Sequence, residues 1–132
     1  MIPQSAIRNP KYERMIGFAR EALGLAESIS IELSTIEGRG SDRTFFRLKW
    51  NRKDSAILVH YDPKRVENTY YADIAAFLRN IDVSAPRLIR HDLADCLIIV
   101  EDLGNTDLWS LRNIPWETRR SLYQKTLTII HR

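Results

Sequence analysis

The sequence predicts an α+β domain: a five-stranded antiparallel sheet with a helix after the third strand, flanked by an N-terminal and a C-terminal helix. Three observations carry this reading. Apolar residues recur at three- and four-residue steps in two windows, one near the N-terminus and one in the middle, and a third helix fits the C-terminal segment that Pro115 opens. Between these segments lie five short stretches that alternate apolar and polar residues or run continuously apolar. Short polar turns join the first three of these strands, which suits antiparallel neighbours and not parallel ones.

The spacing predicts a first helix over 10–27, with Tyr12, Ile16, Ala19, Leu23 and Ala26 on one stripe, Pro10 at its start and Gly24 near its end. Ile29 to Ser34 alternates as a half-buried strand, and Glu37 to Asp42 is a turn-forming stretch. Thr44 to Trp50 alternates again, with Phe46, Leu48 and Trp50 on one face and Phe45, Arg47 and Lys49 on the other. Asn51 to Asp54 is a polar hairpin turn, and Ala56 to Tyr61 is a third strand stopped by Asp62-Pro63. A second helix covers 64–80, with Val66, Tyr70, Ile74, Phe77 and Leu78 as its apolar stripe. Pro86 imposes an extended backbone on what precedes it, and Arg87 to Arg90 follows as a short strand. Cys96 to Val100 is a buried strand, because it is apolar throughout. Glu101 to Asn105 breaks it, and a last helix fits 115–130, with Pro115 at the permitted first turn.

Composition narrows the function. The chain has 132 residues, 44% hydrophobic and 28% charged, which is ordinary for one globular domain. No run of about 18 apolar residues exists, so no membrane-spanning segment and no membrane partner are expected. The N-terminal residues lack the basic and apolar regions of a secretory signal, and the single cysteine, Cys96, excludes an internal disulfide. Both point to a cytoplasmic protein. The net charge of +3 is too small and too interspersed to argue for nucleic acid by itself, and none is expected as the partner. Fifteen arginines accompany only five lysines, Lys11, Lys49, Lys53, Lys64 and Lys125, so a mechanism that needs a lysine has few candidates.

Four segments carry chemistry-bearing residues. Gly38-Arg39-Gly40-Ser41 joins two strands; its glycines allow close backbone approach, its amides can cradle a phosphate, and Arg39 and Arg43 can add charge-assisted contacts. Read alone it is a plain β-turn, since no third glycine and no Gly-Lys-Ser/Thr ending complete a nucleotide fingerprint. Val100 to Gly104 leaves a buried strand and offers backbone groups that a purine could use; read alone it is a loop with two solvated carboxylates. Arg90-His91-Asp92 puts a histidine beside an aspartate, but neighbours on a strand point to opposite faces, so a polar turn is the better reading. Phe45, Phe46 and Trp50 among Arg43, Arg47, Lys49 and Arg52 look like a platform for nucleic acid, although the alternation assigns Phe46 and Trp50 to the core.

The order of elements, together with 38–48 and 85–104, resembles the aminoglycoside phosphotransferase and choline kinase superfamily, whose fold is protein-kinase-like. Gly38 to Leu48 is similar to that family's glycine-containing loop and second strand. Ala85 to Gly104 resembles the proline, strand and Glu-Asp-Leu-Gly hinge of the bacterial branch acting on N-acetylmuramate and N-acetylglucosamine. The resemblance covers residues 10–130 and implies a kinase-like N-lobe over 1–104, with 105–132 beginning a second lobe. It implies ATP held between the loop and the sheet, with Gly38, Gly40, Ser41, Arg43, His60, Glu101, Asp102 and Leu103 as nucleotide-binding residues. Magnesium ligands and the catalytic aspartate of the family belong to the second lobe and have no counterpart here. The family's strand-three lysine is also missing from Ala56 to Tyr61; His60 stands near its place, with Lys49 and Lys64 the neighbouring cations, and Glu67 is the only glutamate in the helix that follows.

The expectation is therefore the nucleotide-binding lobe of a bacterial ATP-dependent transferase, a kinase whose acceptor is a hydroxyl such as that of an amino sugar, inactive by itself. Two rivals stand beside it. One is a non-catalytic interaction module that binds a protein partner through the side facing the second lobe, where an unpartnered lobe would expose Trp109, Trp116, Leu122 and Ile130 and so invite a homodimer. The other is an arginine-rich nucleic-acid binder.

Overall fold

The computed structural model describes residues 10–37, 42–105 and 110–130, with the side chain of residue 130 excluded. In chain order the elements are α1 (Pro10–Leu23), β1 (Glu32–Ile36), β2 (Arg43–Trp50), β3 (Asp54–Tyr61), a 3-10 turn (Val66–Tyr70) running into α2 (Tyr71–Asn80), β4 (Leu88–Asp92), β5 (Leu97–Glu101) and α3 (Trp116–Ile130). The five strands form one sheet in the order β1-β2-β3-β5-β4, and every neighbouring pair is antiparallel.

Strand β5 lies between β3 and β4, and its apolar run is buried on both faces, Leu97 and Ile99 in one cluster and Ile98 and Val100 in the other. The sheet then has two faces with different fates. On one, Leu33, Phe46, Leu48, Ala56, Leu58, Leu97 and Ile99 meet Met15 and Ala19 of α1, and Tyr12 packs edge-on against Phe46 at 6.1 Å. On the other, Val59, Tyr61, Ile98 and Val100 form a second cluster with Phe45, Ile57, Tyr71 and Leu88. Arg47 lies on this second face, directly opposite Ile57.

Helix α1 stops at Leu23, four residues before the spacing predicts. Gly24 turns left-handed at φ +65, the Leu25 amide donates back to the Arg20 carbonyl, and the Arg20 guanidinium bonds the carbonyls of Ala26 and Ile29. Those bonds hold the following residues in a turn, so β1 begins at Glu32 and not at Ile29. Ile31 and Leu33 still point inward, as the alternation requires.

The second helical window needs a larger correction. Its first turn is a 3-10 segment, and the face it buries carries Asn68, Ala72 and Ala75. Val66, Tyr70, Ile74 and Phe77, read from the sequence as its core stripe, are half exposed or more, and only Leu78 is partly covered. Small side chains let the α2 backbone approach the sheet closely, and this places the larger apolar residues on the outside.

Candidate functional site

The second face of the sheet ends at the segment 101–105, and one ion pair fixes how that segment leaves β5. Arg43, Phe45 and Arg47 alternate along β2 and share this face. The Arg47 guanidinium meets the Asp102 carboxylate in a two-point fork: Nε donates to Oδ2 at 2.7 Å and Nη2 to Oδ1 at 3.1 Å. Its third nitrogen, Nη1, donates to Asn105 Oδ1 at 2.6 Å. The Asp102 side chain is only 8% exposed and that of Arg47 14%, so the pair is shielded from solvent.

The backbone turns away at Gly104, whose φ of +87 favours glycine, and the Gly104 amide donates to Asp102 Oδ1 at 2.9 Å. The hydrogen bonds from Arg47 hold the Asp102 carboxyl down at about 2, with the Gly104 amide and the Ser55 side chain acting in the same direction and partial burial opposing them. A carboxylate so weakly basic and so fully engaged is a structural anchor and not a general base. Glu101 is committed differently: its amide donates to the Arg87 carbonyl at 2.9 Å, and its Oε1 accepts from the Arg87 amide at 3.0 Å. Leu103, between these anchors, is exposed. The segment is therefore pinned at Glu101, Asp102 and Asn105, with Leu103 free to meet a ligand.

At the other end of β2, Arg43 donates from Nε to Asn68 Oδ1 at 2.9 Å and lies over the Tyr71 ring at 5.4 Å. Asn68 is buried and passes the connection on to the Asp62 carbonyl. Asp42 is held by Arg65 at 2.6 Å, and its carbonyl accepts from the Asp62 amide. The C-terminal end of the glycine-containing turn is thus fixed, although Gly38, Gly40 and Ser41 lie outside the described residues. Arg43 to Arg47 covers roughly 13 Å along the strand, about the reach between a base and the phosphates of a nucleotide.

His60 does not join this group. It pairs with Leu97 on the α1 face, where it lines a cavity of about 250 Å³ with Lys11, Arg14 and Asp95. Burial first, and the Lys11 charge second, pull its pKa below the ordinary imidazole value. The strand period puts it on the opposite side of the sheet from Arg47. Of the eight residues expected to bind nucleotide, the fold unites Arg43, Glu101, Asp102 and Leu103 with one face and its rim, and separates His60 from them.

Sequence reasoning overlooked three contributors. Arg47 stands out in the sequence only within the 38–48 resemblance and as part of a cationic strand surface, with nothing to pair it with Asp102, and Asn68 and Asn105 carry no local signal, because their partners are 25 and 58 positions away. His91 and Asp92 have the modest roles their alternation implies: His91 Nε2 lies 2.7 Å from the Tyr61 hydroxyl, and Asp92 Oδ1 accepts from the amides of Ala94 and Asp95. The platform reading fails on geometry. Phe46 is buried, Trp50 packs on the core, and Arg43 and Arg47 are engaged within the protein. Among the described residues no cluster of three or more His, Cys, Asp or Glu side chains is arranged to hold a metal ion, and no helix is long and apolar enough to cross a membrane.

Neither a family model nor a curated protein matches the chain.

Proposed function

We propose that this chain is the nucleotide-binding lobe of an ATP-dependent small-molecule phosphotransferase, with a hydroxyl of the amino-sugar type as acceptor. The observation that carries the reading is the Arg47–Asp102 fork, which ties the segment leaving β5 to the face of β2 that leads toward the glycine-containing turn. A base at Glu101 to Leu103 and phosphates at the turn would then lie over one continuous surface.

The residues present suit the base better than the phosphates. Glu101 and Asp102 spend their side chains on Arg87 and Arg47, so recognition at this rim falls to backbone groups and to the exposed Leu103. That suits a flat heteroaromatic ring, which needs hydrogen bonds at its edge and apolar cover on its face. ATP would supply the transferable phosphoryl group. By the sequence resemblance, magnesium and the catalytic base would come from a second lobe, so the role proposed for these residues is nucleotide binding.

Titration of the 132-residue chain with ATP, followed by calorimetry, tests the reading. Saturable binding, competition by adenosine and at least tenfold weaker binding in Asp102→Ala are expected. Turnover with ATP, magnesium and a set of amino sugars should stay at background. Absence of ATP binding at millimolar nucleotide would overturn the proposal, and so would turnover that depends on Gly40.

A further inference from the structure

A second property resides in the outward faces of α2 and α3, which the site does not use. Val66 and Tyr70 of the 3-10 turn, Ile74 and Phe77 of α2, and Ile81 just past its end follow one another at three- and four-residue steps. All five are exposed, Phe77 to 61%. Within the chain α2 packs on the 3-10 turn and on β4, so this stripe faces away from its own sheet. Its rim is acidic: Asp73 lies one helical turn from both Tyr70 and Phe77, and Glu67 adjoins Val66.

Helix α3 is the counterpart. No described side chain of α3 is buried. Trp116, Tyr123 and Leu127 form an exposed row, and the Trp116 and Tyr123 rings stack at a tilt, 6.3 Å apart. Arg119 and Arg120 each lie one turn from both rings, so the rim of this row is basic. Arg119 is already ordered: it sits over the Trp116 ring at 5.5 Å and donates to the Ile114 carbonyl at 3.1 Å.

We infer that α2 of one chain receives α3 of a second copy, and that a two-fold exchange of this contact closes a dimer. The apolar rows match in kind, and their rims are opposite in charge, which selects α2 against α3 over either helix against itself. The area is sufficient. With aromatic residues offering 150–250 Å² each, the half-exposed rows present on the order of 800 Å² per chain. Two reciprocal contacts would bury roughly 1,600 Å², the size of a standard stable interface. Reciprocity also gives a closed point group, so the contact ends at two copies and does not propagate.

Sedimentation of the 132-residue chain over a wide concentration range tests this, because it reads association and not nucleotide binding. A reversible dimer is expected. Phe77→Glu and Leu127→Glu should each weaken it by about thirtyfold. An equimolar mixture of those two variants should recover part of the association, since one α2–α3 contact is intact in the mixed dimer. Asp73→Arg and Arg120→Glu, both at exposed positions that folding does not require, should each weaken the dimer, and the doubly reversed chain should regain it to within a few-fold. A monomer at every concentration would overturn the inference. So would a dimer that survives Leu127→Glu, which means α2 pairs with itself, or one that survives Phe77→Glu. A doubly reversed chain no better than the single variants would do the same.

Discussion

Arg47 and Asp102 stand 55 positions apart in the chain and 2.7 Å apart in the fold. Their fork joins the second strand to the segment that follows the fifth, across the intervening third strand. Both side chains are largely withdrawn from water, so neither can lose its partner cheaply.

Removing one member should therefore cost more than an exposed ion pair would. Arg47→Ala should destabilise the chain by about 3 kcal/mol, since it leaves a shielded carboxylate without its counter-charge. Arg47→Lys should recover part of that, because an ammonium restores charge but not the two-point geometry. Urea unfolding of the three proteins provides the comparison, and equal stability would show that the fork contributes nothing.

The same pair sets a pH dependence. The Asp102 pKa is depressed in the folded protein to about 2, so its stabilising contribution is complete above the unfolded carboxylate value near 4 and disappears as pH falls toward 2. At neutral pH that contribution is on the order of 2 kcal/mol. The stability gap between the native chain and Asp102→Asn should be constant from pH 7 to 5 and shrink below pH 4. A gap that stays constant down to the acid limit would contradict the assignment.

His60 predicts a second, milder trend with its own window. Its folded pKa lies below 6.5, so the unfolded chain takes up the proton first as the solution is acidified. Its contribution is thus fully present above pH 6.5 and declines below it. His60→Gln should flatten the fall in stability between pH 7 and 5.5. An unchanged profile would place the responsible group elsewhere.

The Tyr61 hydroxyl is buried in the second cluster and meets His91 Nε2 at 2.7 Å. Burial is also the main cause of its raised pKa. Tyr61→Phe leaves the ring packing intact and removes the hydroxyl's contacts with His91 and Cys96, so a loss of about 1 kcal/mol is expected. Phe46→Ala, by contrast, opens a cavity in the larger core and should cost about 3 to 5 kcal/mol. Thermal unfolding should rank the two in that order.

The order of helices and strands, the shared inward face of Phe46 and Leu48, and the burial of the all-apolar strand are readable from the sequence, because burial imposes a period that neighbouring residues display; the place of that strand between β3 and β4 is not. Segment 101–105 is recognisable in the sequence as a break, but its anchoring is not, since Arg47 and Ser55 meet Asp102, and Arg47 meets Asn105, only once β2, β3 and β5 lie side by side. The sheet face of His60 followed from its strand parity; that this face is the one α1 covers was decided by packing. The outward stripe of α2 shows the limit most clearly. Periodicity marks which residues of a helix share a face, but whether that face or the alanine face meets the sheet depends on which lets the backbones approach, and that is a property of the assembled layers alone.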